Sequence, residues 1–139
     1  MDKLGMGIVG CGWVSEEYIK AALHDGRAEV RSLVSRSLGK PEIYRQRYNL
    51  DCTVGQDYEE MVRRGDIDIV VVSTPHDLHT GPVVAAAEAG KHVIIEKPVA
   101  ITMEDVRKQQ AAVKKTGVKT IVSFVLTWET PLADLDLHL

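Results

Sequence analysis

The run IDIVVVST (67–74) most narrows what this chain can fold into. Ile69, Val70, Val71 and Val72 follow one another with no polar residue between them, so the segment is apolar on both faces. A strand of this kind needs cover on both sides, which a parallel sheet flanked by helices provides. Further Val- and Ile-rich runs read as strands: LGMGIVG (4–10), AEVRSLVS (28–35), KHVIIE (91–96) and KTIVSFVL (119–126), with a short one near Cys52–Val54. Helical patterns lie between them. Val14, Tyr18, Ala21 and Ala22 recur at helical spacing until Asp25-Gly26, and Pro41 suits the first turn of a helix running to about Asn49. A brief helix is expected over about 57–64, and another from about Leu78 to Ala89, stopped by Gly90. Thr102 is a candidate N-cap with Asp105 three residues on, and Gly117 closes that helix after Thr116. Strands alternating with helices imply right-handed crossovers and helices on both faces. The expected fold is α/β, a doubly wound, mostly parallel sheet.

Composition removes several function classes. The 139 residues suffice for about one domain with a real core. A net charge of −3 gives no electrostatic reason to expect nucleic acid or an anionic membrane as partner. No apolar stretch approaches the roughly 20 residues that span a bilayer, and Met1-Asp2-Lys3 leads directly into a strand rather than a secretory segment. Cys11 and Cys52 are the only cysteines and form no CxxC pair, so neither structural zinc nor thioredoxin-type chemistry has support. Two reduced thiols in a cytoplasmic protein are expected.

Open parallel sheets bind ligands outside the carboxyl ends of their strands. After the first strand comes GCGWVS (10–15), running through Gly10, Cys11, Gly12, Trp13 and Val14. Gly10 and Gly12 fit the first two positions of G-x-G-x-x-G, which bring backbone N–H groups close to a pyrophosphate at a helix N-terminus. Ser15 departs from the third position. The second strand ends in Ser35, Arg36 and Ser37, where a cofactor with a free ribose 2′-hydroxyl would want Asp or Glu. A guanidinium between hydroxyls suits a 2′-phosphate instead, against the plain alternative of a solvated surface arginine. The fourth strand ends in STPHDLHT (73–80), containing Ser73, Thr74, Pro75, His76 and His79. Helix capping or contact with the edge of a cofactor is expected of the histidines rather than metal binding, since no third ligand accompanies them.

The fifth strand ends abruptly in Glu96, Lys97 and Pro98. Lys97 in a partly desolvated cleft could exchange a proton near neutral pH, and Pro98, with a cis or trans bond, would aim it. From the residues alone, a surface Lys-Pro turn stands level with a catalytic lysine.

Taken in order, the glycine turn, "SRS", "TPHDLH" and "AGKHVIIEKPVAIT" resemble the glucose–fructose oxidoreductase/inositol dehydrogenase (Gfo/Idh/MocA) family over about residues 4–126. The resemblance implies a Rossmann domain that binds NADP or NAD, with the nicotinamide near "TPHDLH" and "EKP". It implies for Lys97 a role in proton relay and substrate contact during hydride transfer, with Glu96 and Pro98 framing it and lining the cleft. Sugars, polyols or their derivatives are the implied substrates.

In that family a second α/β domain follows and supplies the substrate pocket. Residues 1–126 are therefore read as the dinucleotide-binding domain, and 127–139 as a tail or the start of the second domain. Asp134, Asp136 and His138 read as polar positions of an alternating tail, and Thr127 stands where the family often places an arginine. The short chain is expected to bind cofactor without appreciable turnover, to take a small-molecule substrate only when a second domain is supplied, and to self-associate through the uncovered face. The rival reading is a non-catalytic NADP-binding module that senses redox state or binds a protein. A methyltransferase also uses a glycine-rich first turn, but "EKP" and the Ser-Arg pair do not support it.

Overall fold

A computed structural model describes residues 2–124. The elements alternate along the chain: β1 (Leu4–Val9), α1 (Trp13–Asp25), β2 (Ala28–Val34), α2 (Gly39–Arg47), β3 (Thr53–Gly55) and α3 (Tyr58–Val62). Then come β4 (Ile69–Val72), a 3₁₀ turn (His76–Leu78), α4 (Thr80–Glu88), β5 (His92–Glu96), α5 (Met103–Thr116) and β6 (Thr120–Ser123). All five strand pairings are parallel, in the order β3-β2-β1-β4-β5-β6. This is the doubly wound order, which reverses between β1 and β4 and opens a crevice there at the carboxyl ends.

The valine run that demands cover on both faces receives it. Val70 and Val72 point into a core closed by Met61 and Val62 of α3 and Val83 and Ala86 of α4. Val71 points the other way, joining Ile8 and Leu33 beneath Ile19 and Ala22 of α1 and Tyr44 of α2. All three valines are fully buried. At roughly 1.5–3 kcal/mol per buried aliphatic side chain, such residues dominate what holds the sheet between its helices.

The local stop and start signals act as the chemistry dictates. Gly26, Gly90 and Gly117 each follow a helix with positive φ. The Thr102 hydroxyl accepts the Asp105 N–H at 3.1 Å, capping the helix, and donates to the Asp105 carboxylate at 2.8 Å. Two boundaries differ from expectation. The helix expected from Leu78 is split, because Pro75 starts a separate 3₁₀ turn before α4 begins at Thr80. Strand β6 occupies 120–123, while residues 125–126, Thr127, Asp134, Asp136 and His138 lie outside the described residues. No helix among the described residues is long and apolar enough to cross a membrane.

Helices α1 and α2 are also stitched through one carboxylate. Glu16 accepts the Tyr48 phenol at 2.5 Å and pairs with the Arg47 guanidinium at 2.7 Å. The phenol first and the guanidinium second hold the Glu16 carboxyl below its ordinary 4.5. A carboxyl whose value is lowered by folding adds stability above its unfolded value and loses that contribution as pH falls through the folded one. Between pH 5 and 3, the melting temperature of Glu16→Gln should therefore fall less steeply than that of the unaltered chain, measured by circular dichroism. Parallel slopes would show that this tie adds nothing.

Candidate functional site

A cleft of about 910 Å³ opens at the carboxyl ends of β1, β2 and β4, where the strand order reverses. Three loops wall it: Gly10–Gly12 after β1, Ser35–Ser37 after β2, and Ser73–Leu78 after β4. The sequence-derived residues Gly10, Cys11, Gly12, Ser35, Arg36, Ser37, Ser73, Thr74, Pro75 and His76 thus converge on one cavity.

The two glycines of the turn do different work. Gly10 has φ +91, and a Cβ on it would stand 2.6 Å from the Ser73 carbonyl carbon and from the Thr74 nitrogen. Its N–H donates to the Val34 carbonyl at 2.8 Å, and its own carbonyl accepts the Ser73 hydroxyl at 2.7 Å. Gly10 is bare because the backbone after β4 presses against it. Gly12 has ordinary φ and ψ, and a Cβ there would meet nothing within 4 Å. The space beside it is open, at the floor of the cleft. Gly12 also precedes α1 with no side-chain cap, which leaves the first N–H groups of a 13-residue helix without an intrahelical partner. Trp13 is exposed and Val14 half-buried, and neither is among the residues that line the cleft.

Cys11 is buried, its thiol 3.8 Å from the Val34 carbonyl. Burial chiefly, with Cys52 adding and Lys40 opposing, pushes the thiol up to about 12, so it acts as a small apolar side chain and not as a nucleophile. The Cys52 thiol is likewise raised by burial, to about 11.

Beyond β2, Arg36 is joined by Lys40 from the first turn of α2 and by Gln56, whose amide donates to the Arg36 carbonyl at 2.6 Å. Among the described residues no carboxylate pairs with Arg36 or Lys40. Sequence reasoning missed Lys40, Gln56 and Tyr58. A cation four residues after Arg36 was the available signal for the first; the other two reach the cleft from distant segments.

At the end of β4 the Thr74 hydroxyl oxygen is buried and bonds to nothing in the protein, a free polar group at the cleft wall. His76 lines the cleft, whereas His79 does not. The His79 ring is fully buried, with Nδ1 2.8 Å from the Pro98 carbonyl oxygen and Nε2 2.9 Å from that of Thr74. It bridges the loop after β4 and the loop after β5. The two imidazoles meet edge to face at 6.0 Å. Among the described residues no group of three or more His, Cys, Asp or Glu side chains could hold a metal ion.

The charged end of β5 divides in two. Glu96 shares a sheet face with Ile94, lies buried, and accepts a hydrogen bond from the Tyr18 hydroxyl of α1. Neither it nor the following Lys97 and Pro98, all expected at the cleft, is among the cleft-lining residues. Burial, followed by the bond to Glu96, raises the Tyr18 phenol, which keeps it a donor. Lys97 and Pro98 are exposed, joined by a cis peptide bond, on the turn whose Pro98 carbonyl faces His79. The strand therefore buries its carboxylate and presents only its ammonium.

Comparison with known proteins follows the same outline. The family described as an oxidoreductase family with an NAD-binding Rossmann fold (Gfo/Idh/MocA) matches residues 4–124. A 1,5-anhydro-D-fructose reductase from Ensifer adhaerens is 36% identical over 112 residues, covering 81% of this chain and 33% of its own length. Among solved structures, the WlbA dehydrogenase from Bordetella pertussis, in complex with NADH and UDP-GlcNAcA, superposes with TM-score 0.83 at 28% identity, over 95% of this chain and 40% of that one. Biliverdin reductase from Synechocystis, in complex with biliverdin and NADP+, superposes with TM-score 0.81 at 25% identity, over 89% and 39%. The chain spans about a third of the length of the curated relatives it matches.

The unequal glycines give a stability test. Gly10→Ala forces a Cβ into backbone at positive φ and should cost at least about 2 kcal/mol in urea unfolding. Gly12→Ala, with open space and permissive φ, should stay within about 1 kcal/mol of the unaltered chain. Equal losses would show that the β1–β4 approach tolerates a side chain.

Proposed function

This chain belongs to the Gfo/Idh/MocA oxidoreductase family as its NAD-binding Rossmann domain, and on that premise we propose that the cleft takes NADP(H) in preference to NAD(H), in the service of hydride transfer with a sugar, a polyol or a derivative of one. The observation that carries the cofactor preference is the pair Arg36 and Lys40 at the end of β2, two cations without a carboxylate partner among the described residues. A 2′-phosphate placed between them gains charge-assisted bonds that a 2′-hydroxyl cannot. An acidic residue, which would hold a free ribose, has no place in Ser35-Arg36-Ser37.

The remaining walls fit the rest of a dinucleotide. The open side of Gly12 and the uncapped start of α1 suit the pyrophosphate. The unpartnered Thr74 hydroxyl, with Ser73, Pro75 and His76, suits the ribose and ring at the nicotinamide end. When bound, the nicotinamide supplies the hydride acceptor or donor. The chain's part is to orient it and to hold a proton nearby, and Lys97 is our assignment for that proton: an ammonium presented at the β5 end by a turn bridged to the cleft wall through His79. Glu96 serves this arrangement from below, anchoring the strand end to α1.

The sugar or polyol class rests on the reductase and dehydrogenase relatives; the biliverdin enzyme shows the same fold serving another substrate. Holding a substrate carbon against the ring can be worth about 7–11 kcal/mol of barrier. With Lys97 exposed among the described residues, we expect binding from this chain and turnover only where a further wall closes over that lysine. The free thiols of Cys11 and Cys52 suit the reducing cytoplasm, where we place the protein.

Calorimetric titration tests the reading. A charge-assisted bond contributes about 1.5–3 kcal/mol and 1.4 kcal/mol is tenfold in affinity, so NADP+ should bind at least roughly tenfold tighter than NAD+. Arg36→Asp should abolish or invert that preference, and Gly12→Val should remove binding of both while the far-ultraviolet dichroism is kept. Equal affinities for the two cofactors would sink the 2′-phosphate assignment.

A further inference from the structure

The function just described leaves one departure unused: Ser15 at the third position of the glycine motif. Its side chain is fully buried, and its hydroxyl donates to the Gly12 carbonyl oxygen at 2.5 Å. From α2 the Tyr44 phenol donates to the same oxygen at 3.0 Å. Two hydroxyls, from two helices, thus converge on a single backbone carbonyl at the entrance to α1. As N-cap, Gly12 also offers this carbonyl to the first intrahelical N–H of α1, so the hydroxyls reinforce a backbone bond.

Gly12 is where such a grip has most effect. Glycine has the widest backbone freedom, so each bond to its carbonyl restrains a residue that its own stereochemistry leaves loose. In a planar trans peptide the N–H of Trp13 points opposite to the Gly12 C=O. Holding the carbonyl against Ser15 and Tyr44 therefore aims that N–H away from α2, as one of the unpartnered donors at the helix start. Tyr44 is itself immobilised. It is only 7% exposed, packs in the core beneath α1 and α2, and carries the Arg47 guanidinium 5.9 Å from its ring centroid. Burial, the largest influence on it, raises the phenol, so it stays protonated and able to donate.

We propose that Ser15 and Tyr44 are positioning residues for the cofactor pyrophosphate: their hydroxyls lock the Gly12 carbonyl and so preorganise the Trp13 N–H that faces the phosphate. The assignment rests on the cleft being the dinucleotide site. Neither residue touches the cofactor; each acts through the Gly12–Trp13 peptide. Preorganisation of this kind raises affinity by sparing the loop its ordering cost on binding. It is also selective, because only a ligand that carries the pyrophosphate can sense it.

The test uses the full 139-residue chain with Ser15→Ala, Tyr44→Phe and the double variant, which remove the hydroxyls and keep the packing. Two probes are titrated: NADP+, and 2′-AMP, which keeps the adenosine and 2′-phosphate but lacks the pyrophosphate. The double variant should bind NADP+ at least roughly tenfold more weakly, each single variant should lose less, and 2′-AMP affinity should change by less than about twofold. In ¹⁵N-labelled protein, the Trp13 amide resonance should shift on adding NADP+ to the unaltered chain and shift less in the double variant. Unchanged NADP+ affinity in the double variant overturns the proposal, as does an equal loss for both probes, which would mark a merely structural role. Failure of the unaltered chain to bind NADP+ overturns the cofactor reading itself, and this inference with it.

Discussion

No side chain fits between the end of β1 and the end of β4, and the rest of the site is built on that fact. At Gly10 the backbone of Ser73 and Thr74 occupies the space a Cβ would need. The close approach lets the Ser73 hydroxyl bond the Gly10 carbonyl, while the Gly10 N–H bonds Val34 on the other side. One residue thereby draws the ends of β1, β2 and β4 together, and the cleft is the space they leave above them. The fully buried valines of β4 hold that strand in register, so the sheet core and the site share one determinant.

Around this seam the two helical layers carry separate duties. On one face, α1 and α2 are tied through Glu16, Arg47 and Tyr48, and α2 begins three residues after Arg36. The element that bears Lys40 and directly follows Arg36 is therefore fixed to the helix that starts after the glycine turn. On the other face, α3 and α4 close the core beneath the loop after β4. The end of β5 belongs to both layers: Glu96 is anchored to Tyr18 on the α1 side, and the Pro98 carbonyl lies against His79 at the entry to α4.

Much of the fold was legible because burial on both faces leaves a mark in composition. A strand such as Ile69–Val72 cannot be written with alternating polar residues, and glycines at helix ends announce positive φ. The site was legible where a loop follows its own strand in sequence, as in Gly10–Gly12, Ser35–Ser37 and Ser73–His76. It was opaque where contacts join distant segments. Nothing local in Glu96 tells that Tyr18, 78 residues earlier, takes its carboxylate out of the cleft. Likewise a glycine pressed by its neighbour's backbone and a glycine beside open space look the same in a string of letters. Gly10 and Gly12 separate only when the space around each is seen.

The buried ring of His79 has a mechanical consequence. Its two nitrogens face carbonyl oxygens on loops that follow different strands, at 2.8 and 2.9 Å, and the neutral ring donates to one of them while packing against the other. The imidazole is rigid and spans the gap as a strut, so displacement of the Thr74 backbone is passed to Pro98 and to the neighbouring Lys97. The spacing between the Thr74 and Pro98 carbonyls is thereby set by the dimensions of an aromatic ring, a gauge length that neither loop could keep by itself.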